Sequence, residues 1–138
     1  MSLFGAIQTS GSGLRVFRTW MDAVSDNIAN LNTVRSTDGE AFRARYVVAR
    51  SIGSGAEAVT GARAGAEVAG VEFGDPEGRL VHQPDHPLAD ENGMVRYPSV
   101  DLGDQMTQLL VAQRGYQVNL AVVDRVKDAY QQALSIGK

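Results

Sequence analysis

No cysteine occurs among the 138 residues. That excludes disulfides and zinc–thiolate centres, and it suits a reducing or an oxidising compartment equally. No uninterrupted apolar run approaches the roughly 18 residues of a membrane span, and no basic segment followed by an apolar core opens the chain. Neither a membrane span nor an ordinary secretory signal is therefore expected. Basic charge is scarce as well. Thirteen Lys and Arg stand against 16 Asp and Glu, the formal net charge is -3, and the basic residues are scattered. Nucleic acid and an anionic lipid surface both need a concentrated cationic patch, so neither is an expected partner. With 43% hydrophobic and 21% charged residues the composition is that of an ordinary folded protein with room for one small middle domain.

What is present is a pair of matching hydrophobic repeats, one at each end. Leu3, Ile7, Ser10, Leu14, Phe17, Met21, Val24, Ile28 and Leu31 recur at alternating steps of four and three. Leu102, Met106, Leu109, Gln113, Tyr116, Leu120, Val123, Lys127, Tyr130 and Leu134 keep the same alternation. This is heptad spacing, and it predicts two helices of roughly 25 to 33 residues, about 40 to 50 Å long. Helices of that length outrun a small middle domain, so their stripes are expected to bury against each other and against copies of the chain. Their outer faces agree with this. Between Ala6 and Asn32 the charged side chains are Arg15, Arg18, Asp22 and Asp26, and the second helix is rich in Gln and Asn. A hydrogen-bonded amide is buried at modest cost, whereas an unpaired charge costs several kcal/mol.

Between the helices the period shortens. Ala41 to Ile52 and Ala66 to Phe73 are rich in β-branched and aromatic residues, and Arg79 to His82 and Met94 to Tyr97 form shorter runs, all predicted as strands. Glycines at 53, 55, 61, 65, 70, 74 and 78 interrupt them, and a long loop or hairpin is expected at residues 53 to 65. Asp90-Glu91-Asn92-Gly93 predicts a tight turn. Pro84, Pro87 and Pro98 predict an extended run over residues 82 to 99 that leads into the second helix, with Asp101 or Ser99 as its N-cap. The expected fold class is α+β: long N- and C-terminal helices paired as a coiled-coil-like hairpin around a small, irregular, β-rich middle segment. The expected divisions are residues 1–34, 35–98 and 99–138.

Candidate chemistry is thin. His82, Asp85, His86, Asp90 and Glu91 bear metal-ligating groups, but an extended, proline-held run aims neighbouring ligands to different sides, so no metal is expected. Gly53-Ser54-Gly55-Ala56-Glu57-Ala58 has part of a dinucleotide-binding glycine spacing without the strand and helix that such a site needs. Gly11-Ser12-Gly13 lacks the Lys and Ser/Thr of a phosphate loop and marks a soft spot or a close approach by another chain segment. No nucleophile–base pair or carboxylate pair assembles, so neither an enzyme nor a cofactor is expected.

Two stretches resemble a known family. Ser25-Asp26-Asn27-Ile28-Ala29-Asn30-Leu31-Asn32-Thr33 is similar to the N-terminal signature of bacterial flagellar rod and hook proteins. The run from Arg79 to Pro98, with Met106 and Gln113-Arg114-Gly115-Tyr116-Gln117-Val118-Asn119, resembles the proximal members of the rod in particular. A His-Pro-x-Ala-Asp-x-x-Gly turn at His86 to Gly93 carries that distinction. The resemblance is weak over residues 43 to 75, and Ala41-Phe42 stands where Pro-Tyr is usual.

The resemblance implies an axial structural protein that polymerises helically in the basal-body rod and carries torque. Such a protein is exported without a cleaved signal by the flagellar type III apparatus into the periplasmic space. Copies of itself and other rod proteins are the implied partners, with membrane-ring and export-gate components nearby. The expected assembly interface combines the heptad stripe, Leu14, Phe17, Met21, Val24, Ile28 and Leu31 on the first helix with Met106, Leu109, Leu120 and Val123 on the second, and Asn27, Asn30, Tyr116 and Asn119, which fall where the family signatures sit. An intersubunit arm is expected at Leu80, Asp85, His86, Pro87, Asp90 and Gly93. The competing reading is a helical adaptor or export chaperone of the same secretion system, which the β-rich, Gly-broken middle disfavours.

Overall fold

The computed structural model describes residues 3–53 and 64–136. Most of the loop expected at 53 to 65 therefore lies outside the described residues. Two long helices enclose the chain: α1 spans Leu3–Ala29 and α2 spans Leu102–Ile136. Between them run β1 (Arg45–Ile52), β2 (Gly65–Phe73), β3 (Arg79–His82) and β4 (Met94–Tyr97), paired antiparallel as β1 with β2 and β3 with β4. Neither helix is long and apolar enough to cross a membrane. The α+β class and the terminal helix pair match the sequence reading.

Each helix ends where local chemistry stops it. At the close of α1 the Asn30 side chain donates to the Asp26 carbonyl at 2.9 Å, and its own Oδ1 accepts from the Thr33 hydroxyl at 3.1 Å. The Asn30 side chain thereby ties the last turn of α1 to the turn that follows it. At the start of α2, Asp101 is the N-cap: its Oδ1 accepts from the Asp104 amide at 2.9 Å, a bond that Ser99 does not make.

The helices run antiparallel along their length. Phe4 meets Tyr130 edge to face at 6.4 Å, Trp20 Nε1 donates to Gln108 Oε1 at 3.4 Å, and Asn27 reaches Gln105. The β1–β2 hairpin lies on another flank of α1. Ser12 Oγ fastens it there, donating to the Thr9 carbonyl at 2.6 Å and accepting from the Ala66 amide at 3.0 Å. The buried apolar residues are small: Val16, Ala23, Val24, Ala41, Ala44, Val95, Ala112 and Val126. Close backbone approach, rather than bulky side chains, holds the elements together.

The β3–β4 hairpin forms a second unit. Arg35 and Arg96 exchange backbone hydrogen bonds at 2.9 Å in both directions, which adds a one-residue bridge to β4. The Arg96 guanidinium donates to Glu77 Oε2 at 2.9 Å and to the Thr37 carbonyl at 3.0 Å, drawing three segments together. Gly78 sits at φ 61° where a Cβ would lie 2.1 Å from the Tyr97 carbonyl oxygen, so only glycine fits. The expected strand from Ala41 begins later, at Arg45. Residues 41 to 44 run beside 74 to 78 without a strand ladder, joined by the Ala41 amide to the Pro76 carbonyl, the Gly74 amide to the Ala44 carbonyl, and Arg43 Nε to the Gly74 carbonyl.

The expected seam needs a correction of phase. The helices do share Ser10, Phe17 and Val24 with Leu109, Tyr116 and Val123, which are buried or half-buried. The alternate row lies one residue earlier on both helices. Gly13, Trp20 and Asn27 take the places expected of Leu14, Met21 and Ile28, and Gln105, Ala112, Asn119 and Val126 those of Met106, Gln113, Leu120 and Lys127. Small and amide residues allow a closer approach than Leu or Met would; the displaced row is half-buried on α1 (Leu14, Met21, Ile28) and exposed on α2 (Met106, Leu120).

Two glycines, one in each helix, give opposite expectations. A Cβ on Gly115 of α2 would lie 2.4 Å from the Phe17 ring, while one on Gly11 of α1 meets nothing within 4 Å. Gly115→Ala should lower stability by about 1–2 kcal/mol, overpacking outweighing the helix propensity gained. Gly11→Ala should raise it by up to about 1 kcal/mol. Denaturant melts of the two variants check the contrast.

Candidate assembly surface

The most constrained polar side chain is Asn27, which is 0% exposed. Its Nδ2 donates to the Arg45 carbonyl at 3.0 Å and to Gln105 Oε1 at 2.8 Å, and its Oδ1 accepts from the Arg45 amide at 2.8 Å. Both amide protons and the carbonyl oxygen are used, so the cost of burying the group is met. One side chain thus ties α1 to the first residue of β1 and to the first turns of α2. The Arg45 side chain pairs with Asp26 one residue away.

Farther along the seam, each helix presents a glycine to a side chain of the other. Gly13 lies under Asn119, whose Oδ1 stands 2.7 Å from where a Cβ would be, and Gly115 lies under the Phe17 ring. Asn119 Nδ2 also donates to the Gly115 carbonyl at 2.8 Å. Phe17 and Trp20 stack at 6.1 Å and, with Gly13, Val16, Val47, Ala49 and Ala66, line an apolar cavity of about 280 Å³ between α1 and the β1–β2 hairpin.

The other expected helix residues sort by exposure. Leu14, Met21, Ile28, Asn30 and Leu31 are half-buried, as are Leu109, Tyr116, Asn119 and Val123, whereas Met106 is 53% and Leu120 42% exposed. Leu110, Val111, Val118 and Val122 on α2 are exposed too, and Leu3, Phe4, Leu134 and Ile136 crowd the far end of the pair. Sequence reasoning missed Gly115, Gln105, Gln108 and Ala112, because none is apolar and bulky. A signal was available in their heptad spacing with Asn119 and Val126. Of the two readings open for Gly11-Ser12-Gly13, a soft spot or a close approach, the segment shows close approach at Ser12 and Gly13 and open space at Gly11.

The arm differs from the expected extended run. Residues 83 to 93 form the folded loop of the β3–β4 hairpin, closed by turns in which the His86 amide bonds to the Gln83 carbonyl and the Ala89 amide to the His86 carbonyl. Proline fixes φ but leaves ψ free, and the φ it imposes suits a turn as well as an extended chain. At the tip, the Gly93 amide bonds to the Asp90 carbonyl and Gly93 takes φ 72°, giving a three-residue loop ending in a left-handed glycine. Leu80, Asp85 and Pro87 are exposed, His86 and Asp90 half-buried, and Gly93 buried. His86 Nδ1 accepts from the Leu88 amide at 3.1 Å, and Asp90 Oδ1 from the amides of Asn92 and Met94 at 2.9 Å each. Among the described residues no three His, Asp or Glu side chains cluster to hold a metal ion.

Those bonds set the Asp90 titration. The Met94 amide is the main influence holding its pKa below the ordinary 3.8; desolvation opposes it, and Asn92 and Thr37 add to it. A lowered carboxylate pKa means that the ionised group stabilises the turn fully above 3.8 and stops doing so as pH falls through the lower folded value. Acid titration of the hairpin amides by NMR should show loosening below pH 3.8 in the native chain and no such step in Asp90→Asn. At the helix junction, Asn27→Leu strands the Arg45 backbone groups and Gln105 Oε1. It should cost roughly 3–5 kcal/mol by denaturant melt, where an exposed polar site costs about 0.5.

Comparison with known proteins completes the description. Residues 7–35 match the family model described as flagella basal body rod protein, and residues 91–136 match that described as flagellar basal body rod FlgEFG protein C-terminal. The flagellar basal-body rod protein FlgC of Salmonella typhimurium is 33% identical over 139 residues, spanning 100% of both chains. That of Bacillus subtilis is 30% identical over 150 residues, again spanning 100% of both. The Agrobacterium fabrum protein of the same name is 34% identical over 140 residues, covering 99% of this chain and 96% of its own. With relatives matched along their full length, and both terminal helices recognised independently, this chain belongs to the FlgC family of flagellar basal-body rod proteins.

Proposed function

We propose that this chain, a structural subunit of the flagellar basal-body rod, polymerises helically with copies of itself and other rod proteins through its terminal helices and passes on torque. One observation carries the reading: the monomer leaves too much surface uncovered. It exposes 9292 Å², whereas a compact monomer of 14.8 kDa exposes roughly 7000 Å². Much of what is exposed on the helices is large and apolar, including Leu3, Phe4, Met106, Leu110, Val111, Val118, Leu120 and Ile136. An apolar surface of this kind marks a contact site.

The subunit works in the periplasmic span of the basal body and reaches it through the flagellar type III apparatus without signal cleavage. Membrane-ring and export-gate components are its neighbours at the base. The helix residues from Leu14 to Leu31 and from Met106 to Val123 divide the labour. Asn27, Asn119 and Phe17 hold the hairpin in shape, while Met106, Leu120 and the outward row meet other subunits. The hairpin loop with Asp85, His86, Pro87 and Asp90 is an intersubunit contact. The amide and turn hydrogen bonds support mechanical duty, since the Asn27, His86 and Asp90 side chains are each engaged by backbone groups.

The test uses exposed positions. Met106→Asp with Leu120→Asp should change monomer stability by no more than about 0.5 kcal/mol, because both sites face solvent in the free chain. Expressed in cells lacking the native subunit, the variant should be secreted but leave rods unassembled and cells immotile. Normal rods in that strain would remove these helix faces from the assembly contact.

A further inference from the structure

The β-rich middle carries two surface features that complement each other and are not satisfied within one chain. The first is a groove of about 470 Å³ lined by Arg35, Phe42, Arg43, Arg45 and Phe73. Arg45 is already held by Asp26, and Glu40 also lines the groove and offsets part of its positive charge. The remaining cationic surplus rests on Arg35 and Arg43. The Arg43 guanidinium lies over the Phe73 ring at 5.3 Å and donates from Nε to the Gly74 carbonyl, leaving its outer nitrogens to solvent. Phe73 is 53% exposed, so the groove has an apolar floor beside two guanidinium groups.

The second feature is the loop of the β3–β4 hairpin. Leu88 stands 43% exposed at its crest, with Asp85 before it and Glu91 after it. The ion pairs among the described residues join Arg45 to Asp26, Arg50 to Glu67 and Arg96 to Glu77, so neither Asp85 nor Glu91 has a cationic partner among the described residues. An apolar knob flanked by carboxylates matches an aromatic floor flanked by guanidinium groups in both charge and character.

Resting on the rod-subunit reading above, we infer that the loop crest of one copy seats in the Arg35–Arg43 groove of the next. The occupant is a second copy because the knob and the groove occur on the same chain in matching number. The contact is head to tail: the two patches differ, so each copy uses its loop on one neighbour and its groove on the other, and the series stays open rather than closing as a symmetric dimer. Desolvation at the aromatic floor supplies adhesion, and the charge pairs at the rim set register.

The absence of cysteine permits a direct test. Arg35→Cys and Glu91→Cys introduced together in the full chain, in cells lacking the native subunit, should give an oxidised ladder of dimers and higher multimers from isolated rods. Each single substitution should give none. In parallel, Arg35→Glu or Glu91→Arg alone should weaken subunit association roughly threefold to tenfold, and the double reversal should restore it. Neither residue holds a helix or the turn, so thermal melts of the monomer should be unchanged. Assembled rods without a ladder overturn this contact and leave the rod role standing. Single reversals that block assembly without rescue by the double reversal show that another protein fills the groove and overturn the second-copy occupant. Absence of the subunit from rods that assemble normally overturns the rod reading itself.

Discussion

Three elements meet at one amide. Asn27, in the last turn of α1, is buried beside the start of β1 and the first turn of α2, and its side chain makes two hydrogen bonds with β1 and one with α2. Leucine at that point would satisfy burial and nothing else. An amide can donate twice and accept once in one plane, which fixes both the separation of the helices and the angle at which β1 departs. Because the surroundings are apolar, each bond is stronger than it would be in water, and each lost partner costs more. The rest of the helix pair is laid out from this junction toward the far end, where Phe4 and Tyr130 meet.

The seam that runs from the junction explains how a chain with so few large buried residues keeps its shape. Glycines and small side chains bring the helices close, and Phe17 and Asn119 fill the space left by Gly115 and Gly13. Close approach trades side-chain volume for backbone contact. It also has a consequence for assembly. Since the pair is sealed by small residues, large apolar ones such as Met106, Leu110, Val118 and Leu120 remain on the outside, where the proposed assembly would cover them. In the proposed polymer, the arrangement that leaves this surface exposed in the monomer would supply the cohesion.

The middle of the chain is a stiff attachment rather than an independent core. Arg96 joins Glu77 and the Thr37 carbonyl, Arg35 pairs with β4, and Gly78 lets the 41 to 44 segment pass against Tyr97. Through the Arg35 bridge the hairpin is coupled to the residues that immediately follow α1. Load applied to the hairpin therefore reaches the helix through short, hydrogen-bonded connections and not through a flexible linker.

Heptad spacing determined by itself that two long helices would flank a β-rich middle, because the periods of 3.5 and 2 are properties of local geometry. The Asn-Gly turn, the Asp101 cap and the run of the short strands were legible for the same reason: each depends on a few neighbouring residues. What tertiary structure decided was which of two adjacent heptad rows faces inward. Apolar content favoured the row of Leu14, Met21, Met106 and Leu120, yet the helices close on Gly13, Trp20, Asn27, Gln105 and Asn119. Hydrophobicity measures the gain from leaving water, whereas a helix pair also selects for how near two backbones can come and whether amides find partners across the gap. The proline-bearing loop follows the same logic. Proline restricts φ alone, so whether residues 83 to 93 extend or turn back was settled by β3 pairing with β4, a contact between segments a dozen residues apart.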